Sequence, residues 1–275
     1  KALLISATGT GKTYLAAFDV KAVHPKRILF VVHRRSIAIK AMETFKTIIK
    51  DKSMGLFSGD NRDIDCDYIF ATIQTIYKPE NRQLFSKEEF NYIIIDEVHK
   101  AGANSYQELV NYFKPQFLLG MSATPERSDD FDIYKMFDYN IAYECDFRVG
   151  INNGWLVPFE YYGIYDDTDY SLIPWRSGKY DLEALENALV IEKRVDLVFK
   201  KYMEHRKKST VGFCASVKHC EVMNQYFRKQ GVKSEIIIGE TPIPKRQEII
   251  GKFKEREVEV IFTVVQGPFE RDRIV

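Results

Sequence analysis

The sequence predicts an α/β protein built on doubly wound parallel sheets. Three observations carry that expectation. The apolar runs are short and continuous, as in strands buried on both faces. Amphipathic stretches with helical spacing separate those runs. The length, 275 residues, exceeds what one core commonly serves, so two domains are expected. Hydrophobic residues make up 45% and charged residues 29%, a globular balance that excludes a disordered chain.

The strand candidates of the first half are ALLI (2–5), ILFVV (28–32), YIFATI (68–73), YIIID (92–96) and FLLGMS (117–122). Between the second and third lies SIAIKAMETFKTIIK (36–50), in which Ala38, Ala41, Met42, Phe45, Ile48 and Ile49 share one helical face. In such sheets ligands bind at the carboxyl ends of the strands. Around residues 150–180 the chain turns aromatic, with Gly, Pro and Asp interspersed. This reads as a connection with one strand near FEYYGIY (159–165). Residues 181–205 read as a helix with an apolar stripe at Ile191, Val195, Val198, Phe199 and Tyr202.

A second α/β pattern opens near residue 209. TVGFCA (210–215), EIIIG (235–239) and EVIFTV (259–264) are its strands. Ser216 is placed to cap a helix that stops at Gly231. Thr241 and Pro242 suit the cap and first position of a helix through Phe253. The expected division is 1–158 for the first domain, 159–208 for the connection and 209–275 for a second, smaller domain.

The formal net charge of +1 excludes a strongly basic nucleic-acid binder and leaves room for a local basic groove. No apolar run approaches the roughly 18 residues of a membrane span, and the opening lacks a secretory layout. The four cysteines form no CxxC pair, which predicts a reduced, cytoplasmic protein. Cys214, His219 and Cys220 match no zinc-site spacing.

SATGTGKT (6–13) directly follows the first strand. A glycine turn between strand and helix aims backbone N–H groups at phosphate oxygens. Thr8, Gly9, Thr10 and Gly11 would wrap phosphates, Lys12 would neutralise the outer ones, and the Thr13 hydroxyl would bind Mg²⁺. The usual pattern has glycine where this chain has Ser6. The fourth strand ends in Asp96-Glu97. An aspartate on a strand beside the loop's strand can hold Mg²⁺, and the following glutamate can deprotonate an attacking water.

SATGTGKT, DEVH (96–99) and SATP (122–125) occur in that order. They resemble motifs I, II and III of superfamily 2 helicases and translocases, in the DExH branch. VVHRRSIA (31–38) and ATIQT (71–75) are similar to the next motifs on the nucleic-acid side, and TVGFCASVKHCEVM (210–223) resembles motif IV. The connection WLVPFEYYG (155–163) is similar to the restriction-enzyme-type subgroup, which includes type I and III restriction motors and bacterial helicases with a phospholipase-D-like nuclease domain.

The resemblance implies two RecA-like domains, the second incomplete here. It implies Lys12, Asp96 and Glu97 as catalytic residues, with His99, Ser122 and Thr124 coupling the nucleotide to movement. It puts Arg34, Thr72 and Gln74 on the nucleic-acid face. The implied cofactors are ATP and Mg²⁺. The implied partner is nucleic acid, DNA before RNA, gripped through its backbone. No PD-(D/E)xK arrangement occurs, so a nuclease domain or subunit is expected outside this chain.

The family's motif V and motif VI are not matched. Thr263 is followed by VVQGPFERDRIV, and Gln266, Gly267, Arg271 and Arg273 lack the Q-x-x-G-R-x-x-R spacing. That motif carries an arginine finger that stabilises transition-state charge. The expectation is that the second domain continues beyond the residues given. Two further readings stand beside the helicase: the motor half of a restriction endonuclease, and a non-hydrolysing ATP-dependent clamp. The intact Asp96-Glu97 pair argues against the clamp, which has no use for a base.

Overall fold

The computed structural model describes residues 1–98, 104–124, 132–165, 169–176, 179–190 and 192–264. The chain divides into two compact units, Lys1–Glu160 and Tyr161–Val275.

The first unit is built on one eight-stranded sheet. Its strands are β1 (Ala2–Ser6), β2 (Ile28–Val32), β3 (Met54–Ser58), β4 (Asn61–Arg62), β5 (Tyr68–Thr72), β6 (Tyr92–Ile95), β7 (Phe117–Ser122) and β8 (Ile141–Cys145). They run in the order β4-β3-β5-β2-β6-β7-β1-β8. All neighbours are parallel except the two-residue β4, which folds back antiparallel on β3. Every continuous apolar run expected to form a strand of this sheet does so.

Those runs are apolar throughout because each strand is covered on both faces. Leu3 and Ile5 of β1, Leu29 and Val31 of β2, and Ile93 and Ile95 of β6 join one core. Leu4, Ile28, Phe30, Val32 and Ile94, the alternate positions, join the other. The first core is closed by α3 (Ile73–Ile76), α5 (Asn104–Tyr112) and α6 (Ile133–Met136), the second by α1 (Lys12–Val23) and α2 (Arg35–Ile48). The short α4 (Pro79–Arg82) follows α3.

The expected face of α2 is the one buried. Ala38, Ala41 and Phe45 are buried, while Met42 and Ile48 pack at the edge of the core. Phe45 meets Phe30 edge-on at 5.5 Å and Phe70 edge-on at 5.2 Å between ring centres. Such pairs favour edge-to-face contact because ring edges are positive and faces negative.

The sequence predicts no strand at β3, β4 or β8. β8 is an outer strand whose Ile141, Tyr143 and Glu144 are exposed, so it lacks a buried strand's apolar signature. It nevertheless pairs with β1 and leads into α7 (Phe147–Asn152), whose Asp146 side chain accepts a cap bond from Val149 N–H at 2.8 Å.

The second unit carries a three-stranded parallel sheet of β11 (Thr210–Cys214), β12 (Ser234–Ile237) and β13 (Val260–Val264), ordered β11-β13-β12. A two-stranded antiparallel ladder, β9 (Trp175–Arg176) with β10 (Lys179–Tyr180), precedes it. The strand expected near 159–165 is absent: those described residues form no ladder and lie exposed. Aromatic, β-prone composition makes no strand where backbone groups have no ladder to join.

The helix expected over 181–205 is two helices, α8 (Leu182–Leu189) and α9 (Glu192–His205), and Ile191 lies outside the described residues. Of the expected stripe, Val195, Phe199 and Tyr202 pack with Phe227 and Phe262, whereas Val198 is exposed. α10 (Val217–Lys229) is capped as expected, its Ser216 Oγ accepting from His219 N–H at 3.0 Å. α11 (Ile243–Lys254) starts one residue later than expected, with Pro242 at the cap. The Thr241 hydroxyl turns back to accept from Ile238 N–H at 2.9 Å and so cannot cap the helix. Among the described residues no helix is long and apolar enough to cross a membrane.

The Phe137 ring lies on the β7 backbone at Gly120, where a β-carbon would come within 2.4 Å of it. Gly120→Ala therefore overpacks the strand that separates β1 from β6. It should cost about 1–3 kcal/mol of stability in urea titration.

Candidate active site

The site starts where β1 ends. Ala7 N–H donates to Cys145 O at 2.9 Å, which ties the start of the loop to the end of β8. Gly9 and Gly11 have φ of +88° and +85°, a left-handed backbone that glycine adopts without steric cost. Gly11 caps α1 and no side chain caps the helix, so the first-turn N–H groups face the loop with their dipole.

The departure at Ser6 has a structural explanation. Ser6 is fully buried and its Oγ lies 2.5 Å from Thr10 Oγ1, which also donates to Ala7 O at 2.6 Å. The two hydroxyls staple the loop from inside. Lys12 Nζ donates to Ser6 O at 2.9 Å and reaches Ala7 O at 3.5 Å. The ammonium thus sits at the mouth of the loop. Thr8 and Gly9 are exposed, and Thr13 is half-buried in the first turn of α1.

Asp96 follows β6. The expectation that its strand lies beside β1 needs correction: β7 lies between them. β7 therefore brings Ser122 between the loop and the acidic pair. Ser122 is fully buried, and its Oγ accepts from Thr124 N–H at 3.1 Å. Thr124 is exposed, and His99 lies outside the described residues.

Asp96 is 7% exposed, and its Oδ1 accepts from Glu97 N–H at 3.0 Å. Burial, and then the charge of Glu97, push its carboxyl up to about 6, while the charge of Lys12 opposes the rise. Glu97 has φ of +54°. A non-glycine residue in that region is held there by its surroundings, and such strain clusters at functional sites. A buried carboxylate with too little positive charge nearby suits a divalent cation.

The second expected group lies further along the same edge. β2 and β5 are paired with Val32 opposite Thr72, and β2 is three strand spacings from β1, about 14 Å. Arg34 is half-buried at the cap of α2, and Gln74 is exposed on α3. Thr72 is buried, its Oγ1 donating to Ser58 Oγ at 3.0 Å and lying 3.0 Å from Thr75 Oγ1. Its hydroxyl therefore holds the backbone turn rather than facing outward. In the second unit Thr263 is buried on β13, and Gln266, Gly267, Arg271 and Arg273 lie outside the described residues.

Tyr106 escaped the sequence reading. It is 2% exposed on α5, and its hydroxyl has no hydrogen-bond partner among the described residues. Burial first, then the charges of Asp96 and Glu97, raise its ionisation well above the usual phenol range. Spaced as an ordinary core position beside Leu109 and Phe113, it carried no separate signal.

A parallel sheet with a lysine-bearing glycine loop after one strand and an acidic pair after the next but one defines a P-loop NTPase of RecA-like fold. Comparison with known proteins finds two family matches. Residues 1–127 match the family "Type III restriction enzyme, res subunit", and residues 190–265 match "Helicase conserved C-terminal domain". These two matches, in this order along the chain, are those of superfamily 2 helicases, with restriction-type motor similarity.

It is 27% identical to a Saccharomyces cerevisiae protein assigned as an ATP-dependent helicase, IRC3, over 93% of this chain and 40% of that protein. It is 28% identical to the Escherichia coli type I restriction enzyme EcoAI endonuclease subunit, over 82% of this chain and 31% of the relative. The chain thus spans well under half the length of these relatives. Among solved structures, the Pyrococcus furiosus Hef helicase domain superposes with a TM-score of 0.60 at 13% identity, covering 96% of this chain and 82% of that one. Dbp5 of S. cerevisiae, bound to RNA and ADP BeF3, gives 0.56 at 14% identity, covering 96% and 66%. At such identities they speak for the fold.

A carboxyl raised by folding binds its proton more tightly in the folded protein than in the unfolded chain. Stability of the metal- and nucleotide-free protein should fall as pH rises from about 4 to about 6, then level off. Asp96→Asn should lack that fall and be more stable at pH 7 by about 1–3 kcal/mol, read from denaturation at a series of pH values. Tyr106→Phe removes an unpartnered buried hydroxyl, so its melting temperature should match or exceed that of the parent.

Proposed function

We propose that this protein is an ATP-dependent DNA helicase or double-stranded DNA translocase that couples ATP hydrolysis to movement on nucleic acid. The observation that carries the reading is the convergence of Lys12, Asp96 and Glu97 on one sheet edge. The charges of Lys12 and Glu97 both act on the buried Asp96 carboxyl. That is the equipment of phosphoryl transfer, in which positioning and electrostatics dominate.

In this reading the Thr8–Gly11 backbone and the start of α1 bind the phosphates, and Lys12 neutralises their outer oxygens. Thr13 and Asp96 would hold Mg²⁺, which supplies charge neutralisation on the phosphates when bound. Glu97 takes the proton from the attacking water. Ser122, at the end of the strand between loop and acid pair, is placed to pass changes from one to the other through Thr124; His99 is given the same coupling role. Arg34 and Gln74 contact the nucleic-acid backbone, and Thr72 fixes the turn that presents Gln74. DNA is preferred over RNA on the restriction-type similarity. Cytoplasmic placement is part of the proposal; localising the tagged protein tests it against a mitochondrial address, a word that the Schizosaccharomyces pombe relative carries in its name.

The E. coli restriction subunit match favours a second reading, the motor of a restriction complex whose nuclease lies outside these residues. ATPase assays of the full-length protein with single-stranded DNA, double-stranded DNA and RNA, side by side, test the substrate class. Stimulation by RNA alone would overturn the DNA assignment. Glu97→Gln should bind ATP normally and lose about 10²–10⁴-fold in turnover, measured by phosphate release. Unchanged hydrolysis would remove Glu97 from the mechanism.

A further inference from the structure

We infer that Leu156 is a positioning residue of the phosphate loop, the side chain that holds Gly9 in its phosphate-cradling shape. This rests on the reading of residues 6–13 as the nucleotide loop. Leu156 belongs to the segment after α7, which is otherwise turned to solvent. Trp155 is 56% exposed, Val157 85% and Phe159 67%, while Leu156 is partly buried.

What buries it is the loop. A β-carbon at Gly9 would lie 3.1 Å from Leu156 Cδ2. On the other side a β-carbon at Gly150 would lie 2.8 Å from Leu156 Cδ1 and 3.6 Å from Thr10 Cγ2. Leu156 is therefore seated between two glycines, and neither position admits a side chain without moving it. Its backbone is fixed as well: Trp155 N–H and Leu156 N–H both donate to Gly150 O, at 2.9 and 3.0 Å. Since α7 follows β8 directly and Cys145 O holds Ala7 N–H, loop and clamp share one anchor.

The physical consequence is preorganisation. Gly9 and Gly11 are free to leave their left-handed backbone, and each such freedom is an entropy cost on binding. Packing Leu156 on Gly9 removes part of that cost before a phosphate arrives. Leu156 meets the loop at Gly9, so it acts on binding rather than on the proton transfer.

The test is a double-mutant cycle in the full-length protein. Leu156→Ala should weaken binding of a fluorescent ATP analogue by about five- to tenfold and raise KM for ATP, with kcat changed less than twofold. Leu156→Met, which conserves volume, should restore binding. Gly150→Ala should weaken binding by displacing Leu156. Gly150→Ala/Leu156→Ala should bind no worse than Leu156→Ala, because the added methyl then has room. Amide hydrogen exchange across residues 7–12 of the nucleotide-free protein should be faster in Leu156→Ala, with the melting temperature within about 2 °C of the parent.

Unchanged exchange and unchanged affinity in Leu156→Ala would overturn the inference. So would additive losses in the cycle, failure of methionine to rescue, or a loss that follows a fall in melting temperature. If the parent protein binds no ATP, the nucleotide reading itself fails. The exchange data then still report whether Leu156 holds the loop.

Discussion

β7 lies between β1 and β6, held by a parallel ladder on each side, and the arrangement of the edge above depends on that placement. It sets the spacing between the glycine loop after β1 and Asp96 after β6. It also delivers Ser122 into the gap. Parallel ladders fix register strictly when both faces are buried, since a one-residue slip would turn every core side chain over. The alternation of Leu3, Ile5 with Leu4, and of Leu29, Val31 with Phe30, is thus what aligns the strand ends.

At that edge the protein holds groups that oppose folding in isolation. Asp96 is a carboxylate with little solvent, Glu97 is a non-glycine residue in left-handed backbone, and the Tyr106 hydroxyl lacks a partner among the described residues. Stability supplied by the two cores below allows such an arrangement to persist. The Phe30, Phe45 and Phe70 cluster, with ring centres 5.2–5.5 Å apart, is one such source. The loop is treated differently. Its shape rests on small local restraints: the Ser6–Thr10 hydroxyl pair, the Ala7–Cys145 bond and the Leu156 contact.

Much of the site could be read from the chain because each part lies at the end of a continuous, largely apolar strand. ILFVV and FLLGMS are strands at the expected residues, and SATGTGKT and Asp96-Glu97 fall at strand ends. The misreadings share one cause. Phe159–Tyr165 has strand composition but no ladder, and β8 has a ladder but no strand composition. Thr241 has cap chemistry but bonds Ile238 N–H instead. In each case the outcome depended on which backbone group came near, which local propensity does not contain.

By itself, the sequence determined the fold class, the loop, the acidic pair and their order, because hydrophobic periodicity and glycine placement are local properties of the chain. Tertiary structure alone decided that β7 separates the loop from Asp96, that Thr72 points its hydroxyl inward and that Ser6 serves where glycine is usual. It alone brought Leu156 onto Gly9 and Tyr106 close enough for the charges of Asp96 and Glu97 to act on it. These contacts join residues far apart in the chain. Such pairings arise from the packing of whole elements around a shared sheet, and no window of the sequence records them.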